Sequence, residues 1–504
     1  MVTTRPTGYV ENIAPSQFER IDLSRLDPTT AVRFGMRATR VRLKDDHDKI
    51  DRIERQLKRA ADTESLRNLM QTPLQVLIMT IIVESAGPLS PDRYSLFWTY
   101  FETVFKRERS KAMPFARLLQ EHGPHILDLH QRVGFELQVR SETSDGAMAT
   151  MLPHELRAVG WQVLSDAGFQ PSDTDAGLLD NIVTAATHRL VLLAPHGAEG
   201  LGFDVRSLQE LMAARFLTTG TLENVTARLE TTAASPHWRN GWVFAAGRYF
   251  AEPQAHQHEA IVDLVERIDR NASHRLGLIC PVGPILALDL VDDGMARSHP
   301  RFHDRLLKVA FRALEAQHLP DPLAVARVLV RAADTGDRVR DLVSEAIRNA
   351  LGGNPVARET TGAVQKLIPV AANEAGVGPR ARSLDGVRGK PRRREPTAPD
   401  PAAAWNRYAE SLAHLPETDE VLTRLAVADD ALRKLRAQSH ADTEQIEAIM
   451  AVLSDRDSAD ILEVALEALT LHEPKLVSAL RDGVMPAIHR APVGELLKQA
   501  ATTP

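Results

Sequence analysis

Chemistry on phosphates leaves the clearest mark in a sequence. Backbone N–H groups must close on the phosphates while a lysine reaches them, which demands G-x-x-x-x-G-K-[ST]. The nearest approach in this 504-residue chain is Gly389-Lys390, where Pro391 occupies the Ser/Thr place and Leu384 the first Gly place. It is no phosphate cradle. The run from Ile285 to Asp293 resembles the apolar strand ending in Asp that holds magnesium, but helical patterns surround it and no phosphate loop precedes it. It predicts a helix core with a capped end.

Histidines gather at His122, His125 and His130, at His256 and His258, and at His299 and His303. Zinc wants three or four ligands with supporting hydrogen bonds, and His299 and His303 lack the intervening Glu of a metalloprotease helix. These histidines read as surface or internally satisfied groups. No G-x-S-x-G elbow is present, and the single cysteine, Cys280 beside Pro281, reads as buried rather than nucleophilic. Between Arg380 and Glu395 seven positive residues face two negative ones, enough to touch a phosphate backbone. No aromatic residue is interleaved for stacking, so a solvated linker is expected there.

The elements that must position any site read as mainly α-helical. Met1 to Thr4 looks like the end of a buried strand, Phe18 to Leu23 like a short strand, and Asp27-Pro28 like a helix start. A charged helix is expected over Asp45–Ala61, and an apolar one from Thr72-Pro73. Residues 91–121 predict one helix, with Tyr94, Phe97, Trp98, Phe101 and Phe105 on one buried face. Further helices follow over 123–187. Arg189 to Ala194 and Leu201 to Val205 then read as the two strands of a hairpin, followed by a helix from Ser207 to Leu217; that order resembles a winged-helix domain. From about residue 235 onward, short helices (256–269, 300–316, 322–334, 337–350, 418–437, 442–453, 459–470) predict an irregular helical-repeat array. The Gly-, Pro- and Arg-rich stretch 371–402 predicts a flexible basic linker within it.

A net charge of −6 argues against bulk nucleic-acid binding, and the apolar fraction of 43% is ample for folded cores. One cysteine rules out an intramolecular disulfide framework and suits a reducing cytoplasm. The longest apolar run, Leu74 to Val83, is half of the roughly 20 residues a membrane span needs. A cytoplasmic protein without a membrane partner is expected.

Three segments, in order, resemble the second half of a NACHT-type signal-transduction NTPase of the STAND class. Val2-Thr-Thr-Arg-Pro-Thr-Gly-Tyr is similar to the strand end that closes the nucleotide-binding sheet. Leu69-Met-Gln-Thr-Pro-Leu-Gln-Val-Leu is similar to the start of the lid-domain helix. Phe203-Asp-Val-Arg-Ser-Leu-Gln-Glu-Leu-Met-Ala-Ala is similar to the winged-helix signature, matched at Phe203, Ser207, Gln209, Glu210, Ala213 and Ala214. The segment opening at His237-Trp238 also fits.

The resemblance covers roughly residues 1–250. It implies Arg5 near the terminal phosphate and Pro73 against the adenine as cofactor-binding residues, with no catalytic and no metal-binding residue in this chain. It further implies a nucleotide-binding remnant over 1–25, a helical lid over 26–122, a winged-helix domain over 123–234, a helical-repeat region over 235–370, and a C-terminal helical region over 403–504 beyond the linker. The family's winged-helix histidine falls at Val205, which donates no hydrogen bond to a phosphate. The family's phosphate loop and magnesium-binding Asp belong upstream of residue 1. The expected function is therefore the regulatory and sensor part of a nucleotide switch in bacterial defence or signalling, without ATPase activity as this chain. It would bind no cofactor alone, and ATP or ADP with magnesium once an upstream domain completes the pocket. Its partners would be that missing ATPase or effector region, further copies of itself, or an unidentified sensed ligand. The alternative is a stand-alone helical scaffold or a winged-helix DNA-binding regulator.

Overall fold

The computed structural model describes residues 26–386, apart from short internal stretches, together with Val493, Gly494, Leu497 and Lys498. The described residues are mostly helical, with one two-stranded antiparallel sheet. None of their helices is long and apolar enough to cross a membrane. The expected strands at Met1 to Thr4 and Phe18 to Leu23, Arg5, Cys280, Gly389-Lys390 and the helices expected over 418–470 lie outside the described residues.

The chain opens with α1 (Pro28–Leu43), started as its residues dictate: Pro28 stands in the first turn and Asp27 accepts the Thr30 N–H at 2.9 Å. Then come α2 (His47–Asp62), the single turn α3 (Glu64–Arg67) and α4 (Pro73–Glu84). α1, α2 and α4 pack into a lobe that closes tightly at Gly35, where a Cβ would meet Leu57 and Val76 side-chain carbons at 2.8 Å. The lobe's first described residue is tied to the start of α4, since the Leu26 N–H donates to the Gln71 carbonyl at 2.9 Å.

The single helix expected over 91–121 is two helices, α5 (Arg93–Arg109) and α6 (Pro114–Glu121). Ser110 caps α5, and Pro114, which has no N–H to continue the ladder, opens the next helix. The aromatic face of α5 packs inward: Tyr94, Phe97 and Phe101 are buried, with Trp98 and Phe105 half-buried against the core.

α7 (Gly123–Thr143), α8 (Pro153–Asp166) and α9 (Asp173–Thr184) follow, then a π-helical turn over Ala185–Arg189. That turn takes Arg189 out of the strand expected to begin there. β1 (Leu193–His196) pairs with β2 (Gly200–Phe203), Leu193 facing Phe203, and Met151 forms a bridge to Leu201 on the same sheet. α10 (Arg206–Leu217) is buried continuously from Leu208 to Ala214. It crosses α7 where a Cβ on Gly134 would stand 2.6 Å from the Met212 Cβ and 3.0 Å from the Gln209 carbonyl.

Beyond α11 (Leu222–Thr232) come α12 (Arg239–Ala251), α13 (Ala255–Ser273), α14 (Val282–Asp293), α15 (Pro300–Phe311), α16 (Pro322–Asp334), α17 (Asp337–Leu351) and α18 (Pro355–Ala375). α12 lies as close to α5 as the two backbones allow, since a Cβ on Gly247 would sit 2.6 Å from the Tyr94 Cβ. α14 is the apolar helix expected around Ile285–Asp293, ended by Gly294 at φ 85°. The helix expected over 300–316 ends at Phe311 and tightens into a 3-10 turn over Arg312–Glu315. The expected linker starts later than composition suggested: α18 runs through Ala375, and Ala371, Ala372, Val377 and Leu384 are buried, because small and apolar residues at helical spacing give that helix a packing face.

Candidate functional site

Four helix starts meet in one cleft. α4 contributes Thr72, Leu74 and Gln75, α5 contributes Arg93, α10 contributes Ser207, and α12 contributes Asn240; Phe97 and Phe244 complete this recess. A second recess shares Thr72, Gln75 and Arg93, and adds Leu69, Gln71, Asp292, Asp293 and Arg331. Thr72 and Asp92 cap their helices by accepting from the N–H groups of Gln75 (3.3 Å) and Ser95 (2.8 Å). α10 and α12 have no side-chain cap: Val205 and Trp238 stand at their N-cap positions. The uncapped N–H groups leave partial positive charge at the starts of these two helices.

Arg93 stands between the two recesses. Its Nε lies 3.0 Å from Asp293 Oδ1, its backbone N–H donates to the same oxygen at 3.4 Å, and one guanidinium nitrogen donates to Asn240 Oδ1 at 3.3 Å. From there a polar seam runs through the interior. Asn240 donates to Glu210 at 3.1 Å, Arg206 donates to Glu210 at 3.2 Å, and Arg206 approaches His237 Nδ1 at 3.4 Å. A guanidinium only donates, so Nδ1 is the acceptor and the His237 Nε2–H donates to the Gln138 carbonyl at 2.8 Å. Gln209 closes the seam by donating to Gln138 Oε1 at 2.9 Å.

The carboxylates of α14 carry the electrostatics. The Asp293 side chain is fully buried, and burial pushes its carboxyl up to about 7, with Arg93 pulling it back down and Asp92 pushing it further up. Asp92 is itself raised by burial, partly offset by the hydrogen bond from Ser95. Asp289 is raised by burial against the opposing pull of Arg239, whose guanidinium grips it at 2.6 and 2.7 Å. Arg331 pairs with Asp292. Two buried atoms of the second recess remain without a partner, Asp293 Oδ2 and Arg331 Nε.

No protein-family model matches the chain, and no curated protein does.

Of the residues singled out in the sequence, Pro73 is exposed at the first position of α4, between the cleft-lining Thr72 and Leu74. Val205 is half-buried at the start of α10. Ser207 lines the cleft, while Phe203, Gln209, Glu210, Ala213 and Ala214 are buried. Two of the histidine groups meet, through His258 and His299. His130 is buried on the Ile126 carbonyl at 2.7 Å and pushed by burial down to about 4. His122 and His125 lie against Phe169. His258 stacks on Phe250 at 4.7 Å and lies 4.6 Å from His299. Among the described residues no three His, Cys, Asp or Glu side chains gather as a metal-binding group. Sequence reading missed Arg93, Asn240, Asp293 and Arg331. The one available signal was the pair of aspartates closing an apolar run, read as a helix end when it is also the acidic wall of a cleft.

Proposed function

We propose that the chain is the regulatory and sensor part of a NACHT-type nucleotide switch in bacterial defence or signal transduction. The phosphate-binding core would come from an upstream domain or a separate subunit. The observation that carries this reading is the meeting, across one cleft, of Thr72-Pro73-Leu74 with the start of α10. These two segments bear the family-like motifs and lie far apart in sequence. In this reading the lobe of α1 to α4 with α5 is the lid, α7 to α10 with the hairpin is the winged-helix module, and the later helices are the sensor. The order of helix, bridging residue Met151, two helices, hairpin and helix supports the winged-helix assignment.

The cleft suits a base better than a phosphate tail. Leu74, Phe97 and Phe244 line the first recess, while the arginines of the second are already paired, Arg93 with Asp293 and Arg331 with Asp292. A bound nucleotide supplies differential affinity for two states of the switch. The chain's own residues orient the base and transmit the difference. Val205 offers no hydrogen bond in the histidine place, so the hold on the resting state passes to the seam of Arg93, Asn240, Glu210 and Arg206. The DNA-binding alternative has less support, because the two arginines of α10 are engaged: Arg206 with Glu210, and Arg215 on the Trp98 ring at 3.7 Å.

Coexpression with a nucleotide-binding domain that carries G-x-x-x-x-G-K-[ST], supplied in frame ahead of the chain or as a separate subunit, tests the reading. The expected result is a complex that hydrolyses ATP and loses turnover on Arg5→Ala, while the 504-residue chain alone hydrolyses none. Turnover by the chain alone that vanishes with Arg5→Ala, or salt-dependent binding of arbitrary duplex DNA, refutes it.

A further inference from the structure

We infer that α7 carries a peptide-docking site over residues 136–142, that the chain's own turn at 493–498 fills it, and that a free peptide of the same sequence competes for it. The turn is closed by the Leu497 N–H on the Val493 carbonyl at 3.1 Å. It meets α7 from far away in sequence, Gly494 lying 352 positions beyond Glu142. Leu497 is fully buried, and Gly494 presses on Val139: a Cβ there would stand 2.6 Å from Val139 Cγ1 and 3.0 Å from Glu142 Oε2. Val139 is β-branched and itself buried, so it cannot swing aside. Two acidic side chains flank this contact. The Gly494 N–H donates to Glu142 Oε2 at 2.8 Å, and the Lys498 ammonium donates to Glu136 Oε1 at 3.0 Å. The site thus takes a glycine, an apolar residue three positions on, and a cation next to it.

What the two carboxylates do besides holding the turn makes the site reversible. Glu136 Oε1 also accepts from Arg140 at 3.2 Å, and Glu142 Oε1 accepts from the Ser235 hydroxyl at 2.9 Å. Each therefore keeps a partner when the turn leaves, and neither is stranded at the cost of an unpaired buried group. The ion pair is open to water and salt, with Lys498 32% and Glu136 25% exposed. Occupancy also bears on the neighbouring elements. Arg140 grips Glu155 by two contacts of 3.0 Å and the Thr150 carbonyl at 3.2 Å, which ties α7 to the start of α8 and to the segment bridging to the hairpin. Ser235 leads into the turn that opens α12. A segment that docks on Glu136 and Glu142 thus reaches both connections through groups they already share.

The test uses the full chain and a labelled synthetic peptide of residues 489–504. In the native chain trypsin should cleave slowly after Lys498, because that residue is engaged with Glu136 and follows the buried Leu497. Gly494→Ala favours the helical turn by itself but cannot fit against Val139, so it should speed this cleavage about tenfold. With its site vacated, the same variant should bind the labelled peptide about tenfold tighter than the native chain does. A peptide that itself carries Gly494→Ala should bind neither. Leu497→Asp removes the buried apolar side chain and should release the turn as well, which guards against an effect peculiar to one substitution. Equal cleavage in the native chain and both variants, or no peptide binding to either variant, overturns the inference. Cleavage spreading through the whole chain in the variants also overturns it, since the turn would then be a fixed part of the core. No nucleotide is involved, so the switch reading stands or falls separately.

Discussion

Replacing Arg93 by methionine removes the charge that faces Asp293 while keeping the length of the side chain. The cost depends on what Asp293 does in response. In the native chain its carboxyl sits at about 7 because burial outweighs the pull of Arg93, the largest influence in the opposite direction. Without Arg93 it rises further. At about pH 6 the folded protein therefore carries a largely protonated Asp293 with or without Arg93. The substitution then removes only the side-chain hydrogen bonds to Asp293 and Asn240, roughly 1–2 kcal/mol together; the backbone N–H of Arg93 still reaches Asp293. At about pH 8.5 the native carboxylate is ionised and paired, and the variant must either take up a proton or bury an unpaired charge. Breaking a buried pair costs about 3–5 kcal/mol. The Arg93 side chain is 31% exposed, and screening trims the charge contribution. We therefore expect Arg93→Met to destabilise by about 2 kcal/mol more at the higher pH than at the lower. Urea denaturation of native and variant chains at both pH values, followed by tryptophan fluorescence, measures it. A destabilisation that is equal at the two pH values, or larger in acid, refutes the coupling of Asp293 ionisation to Arg93.

The same carboxyl dictates the sign for the native chain. Its folded value of about 7 lies above its ordinary 3.8, so the folded state holds the proton more tightly, and the associated stability is fully present below about pH 4 and lost as pH rises to about 7. Up to roughly 4 kcal/mol is involved, and Asp293→Asn should flatten that part of the urea-midpoint curve. Gly134→Ala gains about 1 kcal/mol of helix propensity but drives a methyl into Met212 and the α10 backbone; a net loss of about 1–3 kcal/mol should appear as a lowered melting temperature. Gln209→Leu strands the buried Gln138 Oε1 and should cost about 1–3 kcal/mol, measured by the same melts.

Helix starts were legible wherever local chemistry sets them. Asp27-Pro28 and Asp321-Pro322 open helices as their caps require, the latter with the Ala324 N–H on Asp321 at 2.9 Å. The hairpin was legible in kind but not in extent, because nothing in the apolar run after Arg189 distinguishes a π-helical turn from a strand. The Thr72-Pro73 turn and the Phe203–Ala214 segment stood out individually, and the cleft brings their neighbourhoods together. The rest of the site was hidden because it is assembled across long separations. Arg93 and Asp293 are 200 residues apart in sequence, and Gln209 and Gln138 are 71 apart. An arginine at a helix start looks like solvated surface until the carboxylate that buries beside it is known.

The near contact of Gly247 with Tyr94 gives the cleft one fixed jaw. Arg93 and Asn240 ride on α5 and α12, whose backbones are pressed together at that glycine, so the spacing between these two side chains is set like the rigid arm of a caliper. Thr72 and Gln75 ride on α4, within the lobe that closes on itself at Gly35. A tilt of that lobe changes the gap while leaving the far arm untouched. A substitution that loosens the glycine contact would therefore change the spacing of Arg93 and Asn240 without altering a single residue lining the cleft.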